Sequence, residues 1–136
     1  MILADTSAWV EYDRGSGSRA ERRITQLIRT DRDLAVTEPV LMEVLAGAKD
    51  SGREADLRRL LLRFHLLRFD AVVDFEAAAK LYRRCRSAGV RPPGMIDCMI
   101  AAVALRTGAS LLSWDADMDR LASVAGLELD RASLRA

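Results

Sequence analysis

The feature that most constrains this chain is an alternation. Short apolar runs, too brief for helices, are followed again and again by segments whose apolar residues fall at helical spacing. The runs are Met1–Ala4, Leu34–Val36, Leu66–Phe69, Ser110–Ser113 and a last short one at Leu127–Leu129. Between them, Ser18–Thr30 places Ala20, Ile24, Leu27 and Ile28 on one face, and Arg53–Phe64 does the same with Leu57, Leu60, Leu61 and Phe64. Thr37 is the expected N-cap of a helix that tolerates Pro39 in its first turn and stops at Gly47. Asp74 is the expected cap of a helix through Ala78, Leu81, Tyr82 and Cys85 that ends near Gly89. Pro92-Pro93-Gly94 breaks the chain before a very apolar helix, Met95–Arg106, which Gly108 stops. A helix over Asp115–Ser123 precedes the final run, and the polar tail, Asp130–Ala136, is expected to fray. Strand and helix alternating in this way predict an α/β fold with a mostly parallel central sheet flanked by helices. At 136 residues the chain suits a single domain, residues 1–136, around one core.

Composition narrows the chemistry. Lys and Arg number 21 against 20 Asp and Glu, a net charge of +1, so no global field draws in a polyanion and any such ligand needs a local patch. The only histidine, His65, excludes a His-rich zinc site and leaves a Ser-His-Asp triad without support; it follows an apolar stripe and reads as structural. Two cysteines, Cys85 and Cys98, make no disulfide framework. The N-terminus meets acid at Asp5 without a basic leader, and no apolar run reaches the length of a membrane span. A reduced, cytoplasmic setting is expected. Carboxylates remain as the abundant reactive groups.

In such a sheet, ligands bind beyond the carboxyl ends of the strands. Asp5 closes the first strand, and Asp115 follows the fourth with Asp117 and Asp119 behind it. Asp97 opens the most apolar helix, and Glu43 lies one turn into the helix after the second strand. Each has an ordinary role available: Asp5 and Asp115 as caps, Asp97 as a complement to the helix dipole, Glu43 and Asp119 as solvated residues. Together they predict a cluster of carboxylates at one sheet edge, with Asp119 outside it. Clustered carboxylates repel, and a hard cation such as Mg²⁺ or Mn²⁺ relieves the repulsion through oxygen ligands. Such an ion can activate water and steady the charge on a phosphodiester.

The segments carrying these residues, MILADTSAWVEY, EPVLMEVLAGA, MIDCMIAAVAL and LLSWDADMDRL, resemble in order and spacing the four motifs of the PIN-domain endoribonucleases, and within them the VapC-type toxins of prokaryotic toxin–antitoxin pairs. The resemblance runs from end to end. It implies a metal-dependent RNA endonuclease that cuts structured RNAs, such as transfer or ribosomal RNA, in exposed loops, and that a VapB-type antitoxin inhibits. It implies catalytic roles for Asp5, Glu43, Asp97 and Asp115, and metal binding by Asp5, Asp97 and Asp115 with Asp117 in support. Thr6 and Ser113 would orient a water or a carboxylate. It also implies homodimers, and a groove for the antitoxin's C-terminal segment. One departure is Met118, where the family often has Phe after the aspartate that matches Asp117.

Other readings are weaker. Gly15-Ser16-Gly17-Ser18-Arg19-Ala20 fits a dinucleotide fingerprint, but the strand it needs would be Ala8–Asp13, which carries Glu11 and Asp13. A haloacid-dehalogenase-like phosphatase would want Asp at position 7, where Ser7 stands, and a lysine near the metal. A non-catalytic, receiver-like module with an acidic metal- or partner-binding pocket would also want a late lysine; cleavage against mere binding separates it. Two arginine sets, Arg19, Arg22, Arg23 and Arg29, and Arg83, Arg84, Arg86 and Arg91, are solvated helix faces or phosphate holders. Trp9 and Tyr12 belong to a core or a dimer contact, Cys98 faces the core, and Trp114 is the one aromatic placed to stack on a base.

Overall fold

A computed structural model describes residues 1–30 and 33–134. Four strands, β1 (Ile2–Ala4), β2 (Leu34–Val36), β3 (His65–Leu66) and β4 (Ser110–Leu112), form one parallel sheet in the order β3-β2-β1-β4. Leu3 therefore lies between Ala35 and Leu111. Strands this short are stable here because helices bury both their faces: Leu3, Ala4, Ala35, Val36, Leu111 and Leu112 have no exposed surface. The helices are α1 (Thr6–Arg14), α2 (Arg19–Thr30), α3 (Glu38–Ala46), α4 (Ser51–Leu61), α5 (Val73–Ser87), α6 (Met95–Thr107) and α7 (Ala116–Ala125). Ile100, Ala101, Val103 and Ala104 of α6 are fully buried, which accounts for the unusual apolarity of that segment. None of the helices among the described residues is long and apolar enough to cross a membrane.

The expected strands and helices are present, with several local corrections. Residues 6–14, which carry no expected element, form α1. Asp5 caps it, Ala8 and Trp9 face the core, and Gly15 ends it in the left-handed region at φ 58°. Trp9 packs edge-on to Tyr12 with ring centroids 5.9 Å apart, and against Phe64 at 6.0 Å. The glycines of the dinucleotide-like segment thus join two helices and follow no strand, which removes that reading. Of the run at residues 66–69, only Leu66 belongs to a strand, together with His65, while the Leu67 N–H donates to the Val36 carbonyl at 2.7 Å. His65 itself is exposed. Thr37 has the backbone geometry of an N-cap but makes no capping hydrogen bond through its side chain; the hydroxyl is buried without a partner among the described residues. Leu127–Leu129 contributes a single bridge, Leu129 to Leu111.

Asp74 is not the cap of α5. Asp70 does that work, accepting from the N–H groups of Val72 and Val73. Asp74 is fully buried, and its two oxygens accept from Arg106 Nε at 2.9 Å and Nη2 at 2.8 Å. This pair clasps the start of α5 to the end of α6. Arg106→Met would leave a buried carboxylate with only the Asp70 N–H. Because the Arg106 side chain keeps 37% of its exposure, we discount the full cost of breaking a buried pair and expect a loss of about 2 kcal/mol, read by urea unfolding. An unchanged midpoint would show the clasp to be dispensable.

The tail is ordered as far as residue 134; the last two residues of the segment expected to fray lie outside the described residues. Residues Arg131–Ser133 form a 3-10 turn beside β4. Asp130, nearly buried, accepts from Arg23 Nε and Nη2, each at 3.2 Å. Ser133, fully buried, accepts from the Ser113 N–H at 2.8 Å and donates to the Leu111 carbonyl at 3.2 Å. Polar residues at a chain end read as solvated; here, hydrogen bonding to the open side of β4 pins them.

Candidate active site

The strand ends and helix starts meet at one edge of the sheet. β1 stops at Ala4, and the Asp5 N–H donates to the Leu112 carbonyl, which holds the next residue against β4. Asp5 is 2% exposed. Its Oδ1 accepts from the Ser7 hydroxyl at 2.6 Å and from the Ala8 N–H at 3.0 Å. Asp5 therefore caps α1 from the same edge of the sheet as Asp115, whose charge it feels. Asp115 caps α7 in the same manner, accepting from the Asp117 N–H at 2.9 Å. Thr6 donates to Glu43 Oε1 at 2.5 Å, tying the first turn of α1 to the middle of α3. Asp97 stands in the first turn of α6. Asp117 lies in the first turn of α7, half-buried, and ion-pairs with Arg120.

Electrostatics shows which carboxylates lie within reach of one another. Burial pushes Asp97 up to about 7, helped by the charges of Asp115, Asp5, Glu43 and Asp117, in that order. Asp97 thus feels every expected acidic member of the site. Burial also pushes Asp5 up to about 6, against the hydrogen bonds from Ser113, Ser7 and Ala8, with Asp115 adding a little more repulsion. Both groups hold protons at a pH where free aspartates have lost them. The donor set is oxygen only, since Cys98 is buried in the core behind Asp97 with its thiol pushed up to about 11, chiefly by burial. Carboxylates that repel one another at this edge fit a hard divalent cation and disfavour a soft one. Among the described residues, no three of them gather tightly enough to mark an ion's position by themselves.

All seven expected site residues, Asp5, Thr6, Glu43, Asp97, Ser113, Asp115 and Asp117, are at this edge. Two residues that hold it together were not among the expected ones. Ser7 donates to Asp5, accepts from the Trp114 N–H at 2.8 Å, and lies 3.4 Å from the Ser113 hydroxyl. Ser113 in turn accepts from the Asp115 N–H at 3.3 Å. A serine two residues after an aspartate can close this local bond, and that is the signal available in the sequence. Ser133 is the other. It fixes the backbone of Ser113 from a position 20 residues away in sequence, and nothing local signals it. Ser133→Ala would leave the buried Ser113 N–H unpaired, at a cost of roughly 1–2 kcal/mol. The expected result is a lower thermal midpoint; no shift would mean that a water replaces the hydroxyl.

Comparison with known proteins shows the family to which the chain belongs. The PIN domain family model matches residues 2–124. Ribonuclease VapC11 of Mycobacterium tuberculosis is 43% identical over 129 residues, covering 94% of this chain and 96% of that protein. The VapC ribonuclease Mb1587 of Mycobacterium bovis matches to the same extent. Among solved structures, VapBC2 from Rickettsia felis, bound to a DNA fragment from its promoter, aligns with a TM-score of 0.75 at 20% identity over 96% of this chain and 98% of that one. Mycobacterium tuberculosis VapC20, described as a Sarcin-Ricin loop cleaving toxin, aligns with a TM-score of 0.70 at 18% identity over the whole of both chains. At these identities the solved structures speak to the fold, while the family match and the 43% identity reach further: the chain belongs to the PIN-domain family and, within it, to the VapC-type ribonucleases.

Proposed function

We propose that this chain is a metal-dependent endoribonuclease that hydrolyses phosphodiester bonds in exposed loops of structured cellular RNA, and that a VapB-type antitoxin restrains it. The observation that carries the reading is Asp97 surrounded by Asp115, Asp5, Glu43 and Asp117, a concentration of negative charge with no histidine or lysine in it. Asp5, Asp97 and Asp115, with Asp117 in support, would hold Mg²⁺ or Mn²⁺, which when bound polarises a water and offsets the charge building on the phosphodiester. The chain's own groups do the positioning. Ser7 and the Ala8 N–H fix one oxygen of Asp5. Thr6 fixes one oxygen of Glu43 and leaves the other to accept a proton from the attacking water. Ser113 holds the Asp115 backbone, and Ser133 holds Ser113. An RNA loop suits this shallow edge because its unstacked nucleotides can reach a site that a duplex cannot enter.

The proposal extends to partners. The names of the solved relatives include VapBC complexes, which supports a VapB-type partner here. Self-association into a homodimer is part of the reading: Val72, Val73 and Phe75 leave 50–68% of their surface exposed at the start of α5, apolar area that a second copy would cover. A cytoplasmic setting fits the two free, buried cysteines.

The test is incubation of the purified protein with total cellular RNA in Mg²⁺ or Mn²⁺, with EDTA alongside and the new ends mapped by sequencing. Discrete cuts that vanish with EDTA are expected. Metal binding without new ends would favour the non-catalytic, receiver-like reading, and neither binding nor cleavage would remove the acidic edge from the function.

A further inference from the structure

We propose that the groove between α2 and the C-terminal 3-10 turn holds the phosphates of the RNA strand next to the bond being cut, with Arg19, Arg22 and Arg131 as its phosphate-binding side chains. The inference rests on the nuclease reading and adds where the strand runs. The groove is open, about 370 Å³, and is lined by Arg19, Arg22, Arg23, Gln26, Arg131 and Ala132. On α2 these positions are i, i+3, i+4 and i+7, a single stripe about 10 Å long. No acidic side chain is among the lining residues, although the protein as a whole is close to neutral.

The four arginines are not equivalent. Arg23 is neutralised by its two bonds to Asp130 and belongs to the fold. Arg19, Arg22 and Arg131 make no ion pair among the described residues. Two of these three are nonetheless held in place. Arg22 donates through Nη1 to the Gly17 carbonyl at 2.6 Å, and the Arg19 guanidinium lies over the Trp114 ring, 5.7 Å from its centroid. Gathering like charges and fixing them opposes folding unless an anion is to be met. Guanidinium groups with free N–H edges match phosphate oxygens, often two at a time.

The groove also leads to the site. Trp114 follows Ser113 and precedes Asp115, and its N–H is bonded to Ser7, which bonds Asp5. The residue whose ring lies under Arg19 is therefore tied through its backbone N–H, by two hydrogen bonds, to Asp5, the most buried carboxylate of the cluster. A strand whose scissile phosphate lies among the carboxylates has its neighbouring phosphates at these arginines. An acidic protein segment would meet the same charges, but nothing in such a ligand requires continuity with the carboxylate edge.

The test uses Arg22→Ala with Arg131→Ala, both exposed in the folded chain. Binding of a labelled 20-nucleotide single-stranded RNA of mixed sequence is followed by anisotropy in an Asp97→Asn background, so that the strand stays whole, from 50 to 300 mM salt. Loss of two phosphate contacts predicts roughly tenfold weaker binding and a salt slope lower by about 1.4, at about 0.7 per contact for a single strand. With Asp97 restored, KM rises by the same factor and kcat holds, the mark of lost uniform binding. Unchanged affinity and slope would overturn the proposal. So would an equal loss from Lys80→Ala with Arg83→Ala, which line a separate concavity on α5. If the chain with Asp97 intact cuts no RNA yet the slope still falls, the groove stands and the nuclease reading fails.

Discussion

Asp97→Asn is expected to lower RNA cleavage by about a thousandfold or more, equivalent to ~4 kcal/mol of transition-state stabilisation, while making the metal-free protein more stable at pH 8. The two effects have one cause. Asp97 is pushed up to about 7 by burial and then by four neighbouring carboxylates, so its charge opposes the fold. An amide keeps the shape and removes the repulsion. The same variant should lose most of its Mg²⁺ or Mn²⁺ affinity, measured by calorimetry. A folded variant that still cuts would take Asp97 out of the chemistry. A variant that loses activity and also loses stability would make Asp97 a structural residue.

The second large effect is a dependence of stability on pH that a divalent cation reverses. The unfolded-state value for Asp5 and Asp97 is 3.8, and in the folded chain they rise to about 6 and about 7. Between these limits the native state holds protons that the unfolded chain has released. Stability therefore falls as pH rises from about 4 to 7 and stays low above that. Asp5, almost fully buried, contributes on the order of 3 kcal/mol, and the half-buried Asp97 adds less because solvent screens it. In EDTA, the thermal midpoint at pH 8 should lie roughly 10 °C below that at pH 5. Saturating Mg²⁺ should recover most of the difference at pH 8 and little of it at pH 5, where Asp5 and Asp97 are protonated. Asp97→Asn should show a visibly shallower fall. Equal pH profiles with and without cation would mean that the carboxylates do not share a pocket.

How far the sequence was legible depended on where the governing interactions lie. The parallel sheet was readable because β1, β2 and β4 are buried on both faces and appear as bare apolar runs. Glu43, Asp97 and Asp115 could be placed because each has a fixed relation to a strand end or a helix start. α1 was hidden: Trp9, Glu11, Tyr12 and Asp13 follow the apolar opening without a clear period, and the Asp5 cap that starts the helix is also the residue of chemical interest. Asp74 was misread because a helix-start aspartate looks the same whether it caps its own helix or pairs with Arg106, which is 32 residues away. Ser133 and Asp130 looked like solvated tail for the same reason. Their partners, Ser113 and Arg23, are distant in sequence, and no local pattern reports a contact of that kind.

The strand order has a consequence for folding. β1 is an inner strand, and its partner β4 lies more than 100 residues further along the chain. Asp5 follows β1 and Asp115 follows β4, so these two carboxylates meet only when that distant pairing forms. Contacts of such long range are slow to close. A partly folded chain in which β1 has paired only with β2 holds Asp5 without Asp115, so whatever the acidic edge does begins only once β4 docks.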